Sequence, residues 1–325
     1  MRIGNIELKC DAVLAPIAGF TDVGMRYIAK KYGAGLTYTE MISCKGMVYG
    51  SEKTKELLAT TSIEMPKAVQ IFGEDASIMA QACTMEEIQK FDIIDINMGC
   101  PVPKVVGNGE GSALLKEPKK AQNIVREVIK QSGKIVTVKF RKGFSKDENI
   151  AVDFARYMED AGASAIAVHG RTREQYYSGL ADWDSIARVV ESVDIPVFAN
   201  GDVVDVDSYF AIKDHTKASG VMIARGAIGN PQIFLEINRA LGINDTIFQD
   251  INPIRDMLEQ IDILKKYYAD RYIYSSMKKQ VCAYLKGVRG GKYLKDLVCR
   301  VESVEEMENI IKELDNIRIN EEKNI

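Results

Sequence analysis

The run Asp95-Ile-Asn-Met-Gly-Cys100-Pro-Val-Pro-Lys sets one cysteine between a glycine and a proline, directly after an apolar stretch. Pro101 and Pro103 restrict the backbone there, so the Cys100 thiol is held in place, as pre-organised chemistry requires. A free thiol ionises at about pH 8.5, so Cys100 is mostly protonated at neutral pH. That suits a proton donor; nucleophilic use would need activation. Cys10, Cys44, Cys83, Cys282 and Cys299 read as small hydrophobes. Lys139, in VTVKFRKG, has three readings: a solvated lysine, a Schiff-base nucleophile, or a fixed cation beside a cofactor that gathers negative charge. The Schiff-base reading needs a lowered pKa, which the nearby Arg141 would supply. His169 is one of only two histidines, and it reads equally as a structural or a site residue.

These residues need elements to bring them together. Short apolar runs rich in Val and Ile lie at 12–18, 35–41, 67–72, 92–97, 134–140, 164–170, 195–201 and 220–226. Amphipathic segments such as PKKAQNIVREVIKQSG and NIAVDFARYMEDAGA separate them, each closed by glycine. Continuous apolar runs indicate parallel strands covered on both faces, and eight β–α units are the count of a (β/α)8 TIM barrel. The rival, a doubly wound sheet, would carry a Gly-x-Gly-x-x-Gly turn after its first strand, and APIAGFTD is not one. A barrel gathers its chemistry at the carboxyl ends of its strands. That rule collects Pro16, Ile17 and Ala18, then Gln70, Asn97 with Cys100, Lys139, and His169 with Arg171. The last two strands add Asn200-Gly201-Asp202 and Ala224-Arg225-Gly226. Loops seven and eight are the usual phosphate site of such barrels, and glycines with an arginine fit that use.

The chain has 325 residues, 46% of them hydrophobic, enough for one large domain and a smaller one. No signal-peptide core or membrane-length apolar run is present, no C-x-x-C pair marks a zinc or iron–sulfur site, and no metal is expected. A cytoplasmic protein is the expectation. After about residue 240 the pattern turns to helices alone: IRDMLEQIDILKKYYADRYI is periodic, and Ser303 with Glu306 has capping-box spacing. Domains are therefore expected at 1–240 and 241–325. Net charge is −3, yet Lys265–Arg300 holds ten basic residues against two acidic ones, before an acidic tail. Such segregation needs a reason, which composition alone does not supply.

The run from Asp95 to Lys104, continuing to Gly111-Ser112, resembles the signature of the tRNA-dihydrouridine synthases, closest to the B-type subgroup. APIAGFTD, VQIFG, VKFRKG, HGRTREQYYSGLADWD, NGD and ARGAIGNP resemble that family's other strand-end motifs, so the likeness spans nearly the whole chain. Ala224 departs from a glycine common at that place. The resemblance implies an FMN enzyme that reduces the C5–C6 double bond of selected uridines in tRNA, with NADPH or NADH as hydride source. It implies that Pro16, Ile17, Ala18, Gln70, Lys139, His169, Asn200, Gly201, Asp202, Ala224 and Arg225 hold FMN. Cys100 would then protonate C5 after hydride reaches C6, with Asn97 and Arg171 holding the base. Lys278 and Lys279 would grip the tRNA backbone, and a monomer without protein partners is expected. Three alternatives stay open: an FMN barrel acting on a small molecule (of the dihydroorotate dehydrogenase kind), a Schiff-base aldolase using Lys139, and a non-catalytic RNA binder.

Overall fold

Alternation along one strand shows how these runs become barrel staves. In β4 (Ile93–Met98), Ile94, Ile96 and Met98 pack outward in the large apolar core, whereas Ile93 joins a separate interior cluster. The computed structural model describes residues 1–244, 246–248, 250–286 and 291–322. Among these, the other staves are β1 (Ala12–Leu14), β2 (Thr37–Ser43), β3 (Lys67–Phe72), β5 (Ile135–Arg141), β6 (Ala165–His169), β7 (Val197–Asn200) and β8 (Gly220–Ile223). All ladder pairs of this sheet are parallel, in the order β1-β8-β7-β6-β5-β4-β3-β2. Backbone bonds from Leu14 N to Leu36 O (2.9 Å) and from Gly35 N to Ala12 O (2.9 Å) close the ring. The (β/α)8 expectation holds.

The barrel interior is layered. Val13, Tyr38, Ala68, Ile93, Ala165, Phe198 and Met222 fill its lower part, and a short hairpin (Arg2–Ile3, Ile6–Glu7) seals that end with Ile3 and Leu8. Higher up, the inward positions turn polar: Gln70, Asp95, Asn97, Thr137, Lys139, His169 and Asn200. The strands are therefore mostly apolar outside, and inside they change from apolar at the base to largely polar near the mouth. Outer helices begin and stop on local signals. Pro118 opens the Pro118–Ser132 helix and Gly133, at φ 63°, closes it.

The C-terminal helices span Pro253–Leu264, Asp270–Tyr284, Gly291–Arg300 and Val304–Glu322. The periodic run IRDMLEQIDILKKYYADRYI spans two helices, with a break at 265–269. The break lies where Tyr267 and Tyr268 donate to Thr60 O (2.9 Å) and Glu56 O (3.1 Å) of the barrel. Docking overrides local periodicity here. Glu306 N donates to Ser303 Oγ at 3.1 Å, and the Glu306 carboxylate reaches back to Glu302 N at 2.9 Å, a register one residue off the expected capping box. These helices share an apolar core that takes in Val23 of the barrel.

A buried polar knot joins the two parts. Asp22 caps the Val23–Lys31 helix by accepting from Met25 N at 2.9 Å. It also accepts from Ser276 Oγ at 2.8 Å and Gln260 Nε2 at 3.4 Å. Gln280 Nε2 donates to Phe20 O at 2.6 Å. The loop after β1, which carries Pro16–Ala18, is thereby fastened to the basic helix. Among the described residues, no helix is long and apolar enough to cross a membrane.

Candidate active site

A cleft of about 230 Å³ opens at the carboxyl ends of the strands, lined by Pro16–Ala18, Met41, Asn97, Gly99–Val102, Lys139, Arg141, His169, Tyr176, Tyr177, Asn200, Ala224 and Arg225. A second hollow of about 370 Å³ shares His169, Tyr177, Asn200, Ala224 and Arg225, and adds Gly201–Val204, Gly226 and Lys286. Concavities elsewhere, such as that between Ala76 and Gln131, lack any comparable convergence of cations and thiol.

Cys100 stands on the most heavily anchored loop of the mouth. Three successive carbonyls are each pinned by a different element. Gly99 O accepts from Arg141 Nε (2.9 Å), Cys100 O from Ser112 Oγ (2.8 Å), and Pro101 O from the Tyr176 hydroxyl (2.8 Å). The amides of Gly99 and Cys100 donate to Asn97 Oδ1 at 3.1 and 2.9 Å. Gly111, at φ 58°, is required beneath: an added Cβ there would come within 3.0 Å of Cys100 Cβ and O. Burial pushes the Cys100 thiol above its ordinary pKa, against the Val102 N–H bond and the cations Arg141 and Lys139, which pull it down. The thiol keeps its proton at neutral pH.

The strands beside this loop bring cations to the mouth. Burial, with Arg141 nearby, lowers Lys139 to about 8 although Asp95 opposes the shift. Its Nζ donates to Asn200 Oδ1 at 3.2 Å, and Asn200 Nδ2 donates to Met222 O at 2.6 Å. Burial and the surrounding Arg141, Lys139, Arg171 and Arg225 drive His169 well below its usual pKa, so its imidazole is neutral. Burial lowers Arg141 to about 10, and it remains a cation at neutral pH. Four basic side chains thus face a hollow whose one acid, Asp202, is already engaged by Arg171 (2.7 Å) and Arg225 (3.5 Å). Such a balance receives an anion. The β7 and β8 loops press together too closely for side chains: a Cβ on Gly226 would collide with Val203 O, and one on Gly201 would lie 2.6 Å from Ala181 Cβ.

Most sequence-derived residues meet here. Gln70 sits lower, fully buried, between Asp95 (2.7 Å) and Asn97 (2.9 Å). Arg171 is 2% exposed and tied to Ser178 O, Gly179 O and Asp202; its Nη1 has no partner among the described residues. Lys279 lies at the rim, its Nζ 5.9 Å from the Phe20 ring centre, and Lys278 lies against Tyr274 (5.4 Å). Arg271, Ser275, Lys278, Lys279 and Cys282 fall on one face of the Asp270–Tyr284 helix, opposite its buried Ile273, Met277, Gln280 and Tyr284. Lys286 extends that face into the second hollow. Lys265 is spent on Glu308 and Asp262 (3.7 Å), and Arg289 lies outside the described residues.

Tyr176 and Tyr177 were not singled out from the sequence. They arrive on the long loop after β6, and Tyr177 stacks near Arg225, 4.6 Å from ring centre to guanidinium. The paired tyrosines in REQYYSG were the available signal. Arg141 reads from the sequence as a strand-end cation beside Lys139, and in the fold it clamps three loop carbonyls: Gly99, Thr172 and Tyr176.

Comparison with known proteins agrees with this picture. The family model described as dihydrouridine synthase matches residues 13–322. The tRNA-dihydrouridine synthase B of Pasteurella multocida (strain Pm70) is 37% identical over 291 residues, covering 89% of this chain and 88% of that one. The protein of the same name from Pseudomonas syringae pv. tomato is 36% identical over 307 residues, covering 94% and 91%. Among solved structures, histamine dehydrogenase from Rhizobium sp. 4-9 has a TM-score of 0.57 at 13% identity, covering 81% of this chain and 50% of that one. Morphinone reductase has a TM-score of 0.54 at 13% identity, covering 74% and 89%. Those two share the fold. With a match running from the first barrel strand into the last helix, and B-type relatives above one third identity along most of both chains, this chain belongs to the dihydrouridine synthase family, in its B-type subgroup.

Proposed function

We propose that the protein reduces selected uridines of tRNA to dihydrouridine, using FMN and a nicotinamide donor, NADPH or NADH. The observation that carries this reading is one mouth holding a rigid protonated thiol beside a cationic, glycine-lined hollow. The donor set fits FMN. The Asn200–Asp202 and Ala224–Arg225 loops, with Lys286, offer glycine backbone and cations for the phosphate. Pro16, Ile17 and Ala18 give the ring system an apolar wall, and Lys139, His169 and Asn200 give it polar contacts; Gln70, expected beside them, lies beneath the cleft with its amide bonded to Asp95 and Asn97.

FMN, held by these residues, would supply the hydride chemistry at C6 of the uracil ring, with the nicotinamide as the source of electrons. The chain's own residues do the rest. Lys139 is a fixed cation, kept from wandering by Asn200, that favours negative charge gathered beside it. Neutral His169 contributes a hydrogen bond and no further charge. Cys100 holds a proton at Sγ and delivers it to C5. Asn97, which lines the cleft, and Arg171, whose buried Nη1 has no partner among the described residues, are the residues assigned to the base edge in this reading.

A base reaches such a mouth only when it leaves the stack, so the remainder of the RNA is gripped through its phosphates. Residues 241–325 form the tRNA-binding domain in this reading, and Lys278, Lys279 and Lys286 lead from it into the cleft. In this reading the enzyme works as a monomer in the cytoplasm, where it meets its tRNA substrate. Family membership speaks against the aldolase alternative, and the cationic helix face speaks against a purely small-molecule substrate. The purified protein should be yellow, or take up added FMN, and should bleach when NADPH is added anaerobically. A protein that neither carries nor takes up flavin would overturn this reading.

A further inference from the structure

Below the cleft, a chain of hydrogen bonds climbs from a buried carboxylate to the Cys100 loop. Gln70, Asp95 and Thr137 are register neighbours on β3, β4 and β5, so one layer of the barrel interior holds all three. Gln70 Nε2 donates to Asp95 Oδ2 at 2.7 Å, and Thr137 Oγ1 donates to Asp95 Oδ1 at 2.6 Å. Above them Asn97 Nδ2 donates to Gln70 Oε1 at 2.9 Å. Asn97 Oδ1, the last link, takes the amides of Gly99 and Cys100 at 3.1 and 2.9 Å. Asp95 is 1% exposed and Gln70 0%, so bulk water does not satisfy these atoms.

The chain has a fixed polarity. An ionised carboxylate only accepts, and a carboxamide donates at one end and accepts at the other. With Asp95 accepting, Gln70 must turn its NH2 inward and its carbonyl toward Asn97. Asn97 must then turn its NH2 to Gln70, which leaves its carbonyl for the two loop amides. A flipped Gln70 would face carbonyl against carboxylate and NH2 against NH2, leaving buried groups unpaired. The carboxylate is a costly choice for this position. Burial raises Asp95 to about 6 despite its two donors and Lys139, so a neutral residue would pack there at less expense.

We propose that Asp95 is a positioning residue that acts through Gln70 and Asn97 to orient the Gly99–Cys100 backbone, and with it the thiol. Arg141, Ser112 and Tyr176 fix the loop's carbonyls from the sides; the Asp95 chain fixes its amides from below. This rests on Cys100 being the proton donor.

The test uses the flavin-loaded enzyme with unmodified tRNA and NADPH. Asp95→Asn can offer Oδ1 to Gln70 and Nδ2 to Thr137 Oγ1, preserving the polarity without the charge. It is expected to keep about a third or more of kcat. Asp95→Leu removes the anchor and is expected to lower kcat about 10- to 100-fold, with flavin content, flavin reduction and KM for tRNA changed by no more than about twofold. In a Cys100→Ala background the same Asp95→Leu change should cost no more than about twofold further, because its effect passes through the absent thiol. Multiplying losses in the double variant, or full activity of Asp95→Leu, would overturn the proposal. If Cys100→Ala alone turned over at the full rate, the proton-donor reading would fail instead, and the two failures are distinct. Should Asp95→Leu not fold, Asp95→Asn with Thr137→Val serves in its place, since the asparagine amide then has no acceptor to hold its orientation. That pair should behave as Asp95→Leu does, and wild-type turnover by it would also overturn the proposal.

Discussion

Cys100→Ala is expected to keep its flavin and its reduction by NADPH, while dihydrouridine formation falls by about 10²–10⁴-fold, the range for losing a positioned general acid. The reason lies in where the thiol's contacts go. The loop bonds are made by backbone atoms of Gly99, Cys100 and Pro101, so removing Sγ leaves the carbonyl and amide anchors standing. Lys139 on the adjacent strand does not depend on it either, since its Nζ is held by Asn200. The pH dependence has a definite sign. Cys100 must be protonated to act, and burial raises its pKa, so activity due to this group is full at neutral pH and is lost only as pH climbs past the ordinary thiol range. Stopped-flow measurement of the two half-reactions separates the effects. A slowed flavin reduction in Cys100→Ala would move the thiol out of the uridine step.

Reversing the charges of Lys278 and Lys279 to glutamate should weaken tRNA binding by about 10- to 1,000-fold at low salt, with a shallower dependence of affinity on salt than in the wild type. Both side chains lie on the face of the Asp270–Tyr284 helix that points away from the shared core, so the exchange leaves packing intact. Lys279 also overhangs Gly19, where a Cβ would lie 3.2 Å from its Nζ, which brings the RNA grip to the edge of the loop carrying Pro16–Ala18. Flavin binding and melting temperature should be unchanged. Filter-binding titrations across a salt series read the effect, and an unaltered salt slope would place the RNA surface elsewhere.

The fold was legible because eight apolar runs and their Gly-terminated helices are local signals, and strand ends translate directly into a barrel mouth. Cys100 was legible for the same reason: Gly-Cys-Pro after a strand is a statement about local stiffness. What sequence could not convey is the use to which long side chains are put. Arg171 and Arg141 read as strand-end residues of the mouth, yet most of their donors are spent on loop carbonyls and Asp202 that come from other parts of the chain. Gln70 reads as a strand-end residue, but its amide is the middle link between Asp95 and Asn97. The contact of Asp22 with Ser276 joins residues 254 positions apart, a separation no spacing rule reaches. Tertiary bonds of this kind also split the periodic run at 265–269 into two helices.

The most direct test of the account is a single turnover. Flavin-loaded enzyme, reduced anaerobically with NADPH, is mixed with tRNA lacking dihydrouridine, and flavin reoxidation is followed beside dihydrouridine content. The account predicts reoxidation driven by the tRNA, with one dihydrouridine formed per flavin reoxidised. Reduced flavin that persists unchanged in the presence of the tRNA, with no dihydrouridine formed, would contradict it.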